Sequence, residues 1–127
     1  MIYLDLDDVP HIARRVLAEP AAVRDAGLLL AALARPQATA GGQDAYPTIY
    51  EKAAALLHSL CRNHSLVDGN KRLSLAGTIA FYGMNGLRLQ MTNAAAYDLI
   101  TGIVTSNSED VQVTARVLKA AAGPTRP

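Results

Sequence analysis

The chain has no tryptophan, one phenylalanine and one cysteine, and its charges nearly cancel. Each scarcity excludes something. A lone Cys61 forms neither an intrachain disulfide framework nor a cysteine-based zinc site. It fits a reducing compartment. Twelve basic against eleven acidic residues leave a net charge of +1, so no basic surplus marks non-specific nucleic-acid binding. The longest apolar run, residues 26–34, falls far short of the ~20 residues that cross a bilayer. The acidic start MIYLDLDDV lacks the basic region of a signal peptide. A soluble, cytoplasmic protein is the expectation.

What is present points to helices. Half of the 127 residues are hydrophobic, which is enough for a packed core in one domain. Alanine dominates, and β-branched and aromatic residues are few, which favours helix over sheet. Punctuation divides the chain into about six helices. Asp7 or Asp8 caps the first, with Pro10 in its first turn and an end near Ala18. Asp25 caps a second over 26–35, stopped by Pro36. Residues 36–46 are small and polar with a Gly41-Gly42 pair, and read as a mobile surface loop.

A third helix starts near Pro47. Ile49, Ala53, Leu56, Leu57, Leu60 and His64 fall on one face of it, with His58 roughly opposite. A fourth runs from Gly69–Asn70 to about Met84 and ends at Asn85-Gly86. Residues 87–91 and 2–4 alternate like strands and are expected to pair as a short ribbon. Thr92 or Asn93 caps a fifth helix, and Ser106-x-x-Glu109 reads as a capping box for a sixth that ends at Gly123. The expectation is one all-α domain over 1–123, with 124–127 as a tail.

The chemistry concentrates in His64-Ser-Leu-Val-Asp68-Gly69-Asn70-Lys71-Arg72, where one helix ends and the next begins. The first N–H groups of a helix lack intrahelical partners and sit at the positive end of its dipole. Lys71 and Arg72 put two cations there, which the dipole disfavours, and a bound phosphate removes the conflict. Gly69, lacking a side chain, lets a ligand approach the backbone. A single carboxylate, Asp68, beside a phosphate site suits Mg²⁺, which keeps most of its waters. His64 stands near enough in sequence to accept a proton from an attacking hydroxyl. Taken singly, each residue has a bland reading: a core histidine, a solvated Lys-Arg face, an Asp-Gly-Asn turn. The joint spacing is far more specific.

That spacing resembles the signature of the Fic/Doc family, in particular its Doc branch. Fic enzymes carry His-Pro-Phe-x-Asp/Glu-Gly-Asn-Gly-Arg-x-x-Arg; here Lys71 replaces the second Gly of the Gly-Asn-Gly run and Leu75 replaces the final Arg. Arg24-Asp25-x-Gly27-Leu28-Leu29, Ala32-Leu33-x-Arg35-Pro36, Tyr46-Pro47, Glu51-Lys52-Ala53-Ala54 and Asn85-Gly86 extend the likeness over residues 24–90. Ser65 and Leu66 depart from the Fic Pro-Phe pair.

The resemblance implies a compact Fic-like helical fold and a role for each motif residue. His64 is the catalytic base and Asp68 orients the ATP phosphates through Mg²⁺. Gly69 and Asn70 form an anion nest, and Lys71 and Arg72 contact the phosphates. It further implies the toxin of a type II toxin–antitoxin system that transfers the γ-phosphate of ATP to a Thr or Ser hydroxyl of elongation factor Tu, arresting translation. AMP transfer of the Fic kind and a catalytically inactive anion-binding module are the alternatives. The Fic self-inhibitory pattern is not met by Thr105-x3-Glu109-Asp110. Inhibition then falls to a separate Phd-type antitoxin, through which alone nucleic acid would be contacted. Leu28, Leu29 and Leu30 cannot all face one core, so at least one is expected at the surface as a partner contact.

Overall fold

A computed structural model of the chain describes residues 1–106 and 110–125. Among these residues six helices carry the fold: α1 (Asp8–Val16), α2 (Ala26–Ala34), α3 (Ile49–Arg62), α4 (Asn70–Met84), α5 (Asn93–Thr105) and α6 (Gln112–Ala120). Two short ribbons complete it, β1 (Thr39–Ala40) with β2 (Gln43–Asp44), and β3 (Leu87–Leu89) with β4 (Ala122–Pro124). The all-α expectation stands. No helix among the described residues is long and apolar enough to cross a membrane.

α3 is the axis of the molecule. Thr48 caps it by accepting from the Glu51 N–H at 3.1 Å, and its hydroxyl donates to the Glu51 carboxylate at 2.9 Å. That capping box is in the sequence as Thr-x-x-Glu. Every residue from 52 to 61 is buried. The expected face of Ala53, Leu56, Leu57 and Leu60 is therefore only part of a helix covered all round, by α2, α4, α5 and α6. Burying each leucine contributes roughly 1.5–3 kcal/mol relative to exposure. α4 comes close to α3 at Gly77, where a Cβ would lie 3.1 Å from the Leu60 side chain.

Several boundaries and pairings differ from expectation. α1 is capped from one turn earlier: Asp5 and Asp8 exchange backbone N–H to carboxylate bonds at 2.9 and 3.1 Å, and α1 ends at Val16. β3 pairs antiparallel with β4, Leu87 opposite Pro124 and Leu89 opposite Ala122, and not with residues 2–4. The Asn85 side chain occupies the N-terminal segment instead, accepting from the Ile2 N–H at 2.8 Å and donating to its carbonyl at 2.7 Å. The sixth helix begins at Gln112 and ends at Ala120, and Pro124 of the expected tail lies in β4. The expected capping box of that helix includes Glu109, which lies outside the described residues.

The stretch read as a mobile loop is a hairpin. Thr39 faces Asp44 and Ala40 faces Gln43, and Gly41 and Gly42 both take positive φ (59° and 79°). Two successive positive φ values make the tight turn that suits the strand twist. The buried Lys52 of α3 anchors the hairpin: its ammonium donates to Asp44 at 3.2 Å and to the Pro36 carbonyl at 3.3 Å. Of the three leucines on α2, Leu29 is fully buried and Leu30 is 49% exposed, so one does reach the surface.

Candidate functional site

The turn between α3 and α4 is held from outside by residues 22–25. Val23 and Leu66 form an antiparallel bridge. The N–H groups of Arg24 and Asp25 both donate to the Ser65 carbonyl, at 2.8 and 3.0 Å, and the Val67 N–H donates to Ala22 at 2.9 Å. Asp25 also caps α2 through the Leu28 N–H at 3.0 Å. One short segment thus fixes the start of α2 and the site turn together. From the other side, the Asn70 amide accepts from the Leu66 N–H at 3.0 Å and donates to the Leu66 carbonyl at 3.1 Å. Leu66, the departure from the Fic Phe, is a fully buried anchor.

His64 does not lie on the apolar face of α3. The helix ends at Arg62 with Asn63 as its cap, and His64 follows in a left-handed conformation (φ 51°), exposed. Among the described residues it is the one non-glycine with positive φ. That conformation is disfavoured for a side chain with a Cβ. The Arg24 guanidinium holds it: Nε donates to the His64 carbonyl at 2.7 Å and Nη2 to the Asn63 carbonyl at 3.5 Å. Sequence reasoning placed Arg24 in a block of resemblance but gave it no role. No local signal marks it, because the contact spans 40 residues.

His58 is the buried histidine. Its Nε2 lies 2.8 Å from the Thr114 hydroxyl, joining α3 to α6. Burial lowers its pKa, the positive charges of Arg35 and Arg62 lower it further, and Asp110 opposes. Cys61 is buried in the core, and that burial likewise pushes its thiol up.

At the tip of α4, Gly69 takes φ 87°, open to glycine without strain. On the side where a Cβ would point the space is filled: a Cβ there would lie 2.6 Å from the Leu17 side chain, which packs onto this glycine. Asp68 is exposed, and one of its carboxylate oxygens accepts from the Gly69 N–H at 2.8 Å. The Asn70 side chain is committed to Leu66, so what this residue can offer an anion is its backbone N–H. Lys71 and Arg72 are exposed and make no salt bridge among the described residues.

Two clefts flank this tip. One, of about 300 Å³, runs beside residues 17–22 and is lined by Asp68, Gly69 and Arg72. The other, of about 360 Å³, lies against α5 and is lined by Lys71, Arg72 and Leu75. Arg72 borders both, while His64 lines neither and sits at the far end of the same turn. Among the described residues no group of three or more His, Cys, Asp or Glu side chains is placed to hold a metal ion by itself. A single exposed carboxylate does suit Mg²⁺ carried on phosphates, which takes one or two protein oxygens.

Comparisons with known proteins bear on the family. The family model described as Fic/DOC matches residues 3–82. The chain is 52% identical over 97 residues to Toxin Doc of Mycolicibacterium smegmatis, covering 76% of this chain and 72% of that protein. The matched stretch holds α1 to α3, α4 as far as Tyr82 and every residue of the turn from His64 to Arg72, and the chain belongs to the Fic/Doc family.

Proposed function

We propose that this chain is the toxin of a toxin–antitoxin pair, and that it transfers the γ-phosphate of ATP to a hydroxyl on a translation factor, elongation factor Tu. The likeness to Toxin Doc supports the toxin reading. One observation carries the chemistry: exposed Lys71 and Arg72 stand at the positive end of α4 with no carboxylate paired to them among the described residues. A phosphate chain supplies the missing negative charge, received by the first N–H groups of α4 and the two cations. Asp68 would hold Mg²⁺, which neutralises charge on the phosphates when bound.

The chain's own part is placement and proton transfer. The target hydroxyl oxygen bonds to the γ-phosphorus while the bond to the β–γ bridging oxygen breaks, and ADP leaves. His64 accepts the hydroxyl proton. Such transfer needs mostly positioning and charge stabilisation, which the helix tip and Arg72 supply. Leu75 offers no further cation for a second phosphate, which favours γ-phosphate over AMP transfer. Inhibition then rests with an antitoxin of the Phd type, and exposed Leu30 is a contact available to it. Expression of the wild-type chain in a bacterial host without antitoxin should arrest growth, and His64→Ala should abolish the arrest. Arrest that survives His64→Ala contradicts the catalytic reading.

A further inference from the structure

A third cleft, of about 630 Å³, opens between α2 and α3 and is larger than either cleft at the α4 tip. Asn63, the neighbour of His64, lines it, and so do Arg35 and Arg62, both half-buried. Among the described residues no Asp or Glu lines it. The buried His58 lines it too. Besides burial, the charges of both arginines hold that histidine's pKa down, so their positive field reaches this wall. Asp110, which opposes them, lines a different cleft.

The Arg35 guanidinium is fixed by neutral groups alone. Its Nε donates to the Tyr46 hydroxyl at 3.1 Å. Its Nη1 donates to the Ser59 hydroxyl at 3.0 Å and to the Ala55 carbonyl at 3.5 Å. Nη2 makes no hydrogen bond among the described residues, and no carboxylate there pairs with this side chain. A half-buried arginine oriented in this way keeps its charge for a partner, and its planar fork fits a carboxylate.

We propose that this cleft docks an acidic segment of the target protein, beside the hydroxyl that receives the phosphate, with Arg35 taking a carboxylate of that segment. The proposal rests on the phosphotransferase reading above and adds how the target is held. In phosphoryl transfer the attacking and leaving oxygens lie roughly in line, so target and nucleotide approach the phosphorus from opposite sides. Phosphates at the α4 tip leave the target the His64 end of the turn, and Asn63 of the cleft immediately precedes His64. Ala31 and Ala34 on the α2 wall are small and exposed, which leaves room for target side chains. Opposite charge across such a contact steers encounter and fixes register.

The test is steady-state transfer of labelled γ-phosphate to purified elongation factor Tu by wild type, Arg35→Gln, Ala34→Glu and Ala34→Lys, with thermal melts to confirm folding. Arg35→Gln should raise KM for the protein target about tenfold, with kcat and KM for ATP held. Arg35 also bonds Tyr46 and Ser59, so the two changes at exposed Ala34 separate charge from folding. Ala34→Glu should raise KM for the target about tenfold, and Ala34→Lys should leave it equal or lower. High salt should narrow the gap between them. Equal KM values for the two Ala34 variants overturn the proposal, because a cleft that reads charge must separate them. A loss in folded Arg35→Gln that falls on kcat or on KM for ATP overturns it as well. If wild type transfers no label to elongation factor Tu, the functional reading fails and this proposal falls with it.

Discussion

Two histidines less than two helical turns apart in sequence have opposite environments. His58 is sealed inside α3's shell and bonded to Thr114, with burial and two arginines holding its pKa down. His64 stands just past the helix cap, exposed and left-handed, its backbone held by Arg24. The difference teaches which histidine serves stability and which chemistry. A side chain that completes the core is fixed by its surroundings. A side chain placed in solvent on a disfavoured backbone needs an external brace, and that brace spans 40 residues.

The sharpest break in the comparison is His64→Ala. It should lower phosphate transfer by about 10²- to 10⁴-fold, the usual contribution of a positioned general base. Unfolding free energy should stay within about 0.5 kcal/mol, as for surface changes. Chemical denaturation beside an activity assay reads both. The converse is Leu57→Ala in the buried half of α3, which should cost about 2–5 kcal/mol of stability through the cavity it leaves. Gly69→Ala should cost about 1–3 kcal/mol, since the new methyl meets both the positive φ and Leu17. Adding Leu17→Ala should relieve the clash but not the backbone strain, so the double variant is less destabilised than additivity of the two single changes predicts.

Arg24→Ala should reduce transfer about tenfold by releasing the His64 carbonyl, on the scale of ~1.5 kcal/mol for a charged hydrogen bond. The loss should fall on kcat, with KM for ATP nearly unchanged, and Arg24→Lys should recover only part of it. The smallest effect concerns pH. The unfolded chain's His58 takes up a proton as pH falls below about 6.5, while the folded chain's resists. Stability therefore declines from pH 7 toward pH 5, and His58→Gln should make that decline shallower in thermal melts.

The parts of this picture differ in how far sequence carried them. Asp25 and Thr92 cap their helices as their positions imply, and Asn85-Gly86 closes α4, because caps and stops are local chemistry. The exposed leucine of α2 followed from helix geometry alone. The motif turn was legible as a unit because its residues are contiguous. What sequence misplaced depends on distant partners. His64 fitted the period of α3, but Asn63 ends that helix, and Arg24 turns the backbone. Gly69 read as room beside the backbone, and Leu17, more than 50 residues earlier, fills the side where a Cβ would point. β3 pairs with β4 from the far end of the chain, while the Asn85 side chain engages residue 2.

The measurement closest to the central claim is incubation of the purified protein with Mg²⁺, a bacterial lysate and ATP labelled at either the γ- or the α-phosphate. The account predicts label in a protein band from γ-labelled ATP only, at the mass of elongation factor Tu, and no label with His64→Ala. Label from α-labelled ATP would instead make the chain an AMP transferase and contradict the account.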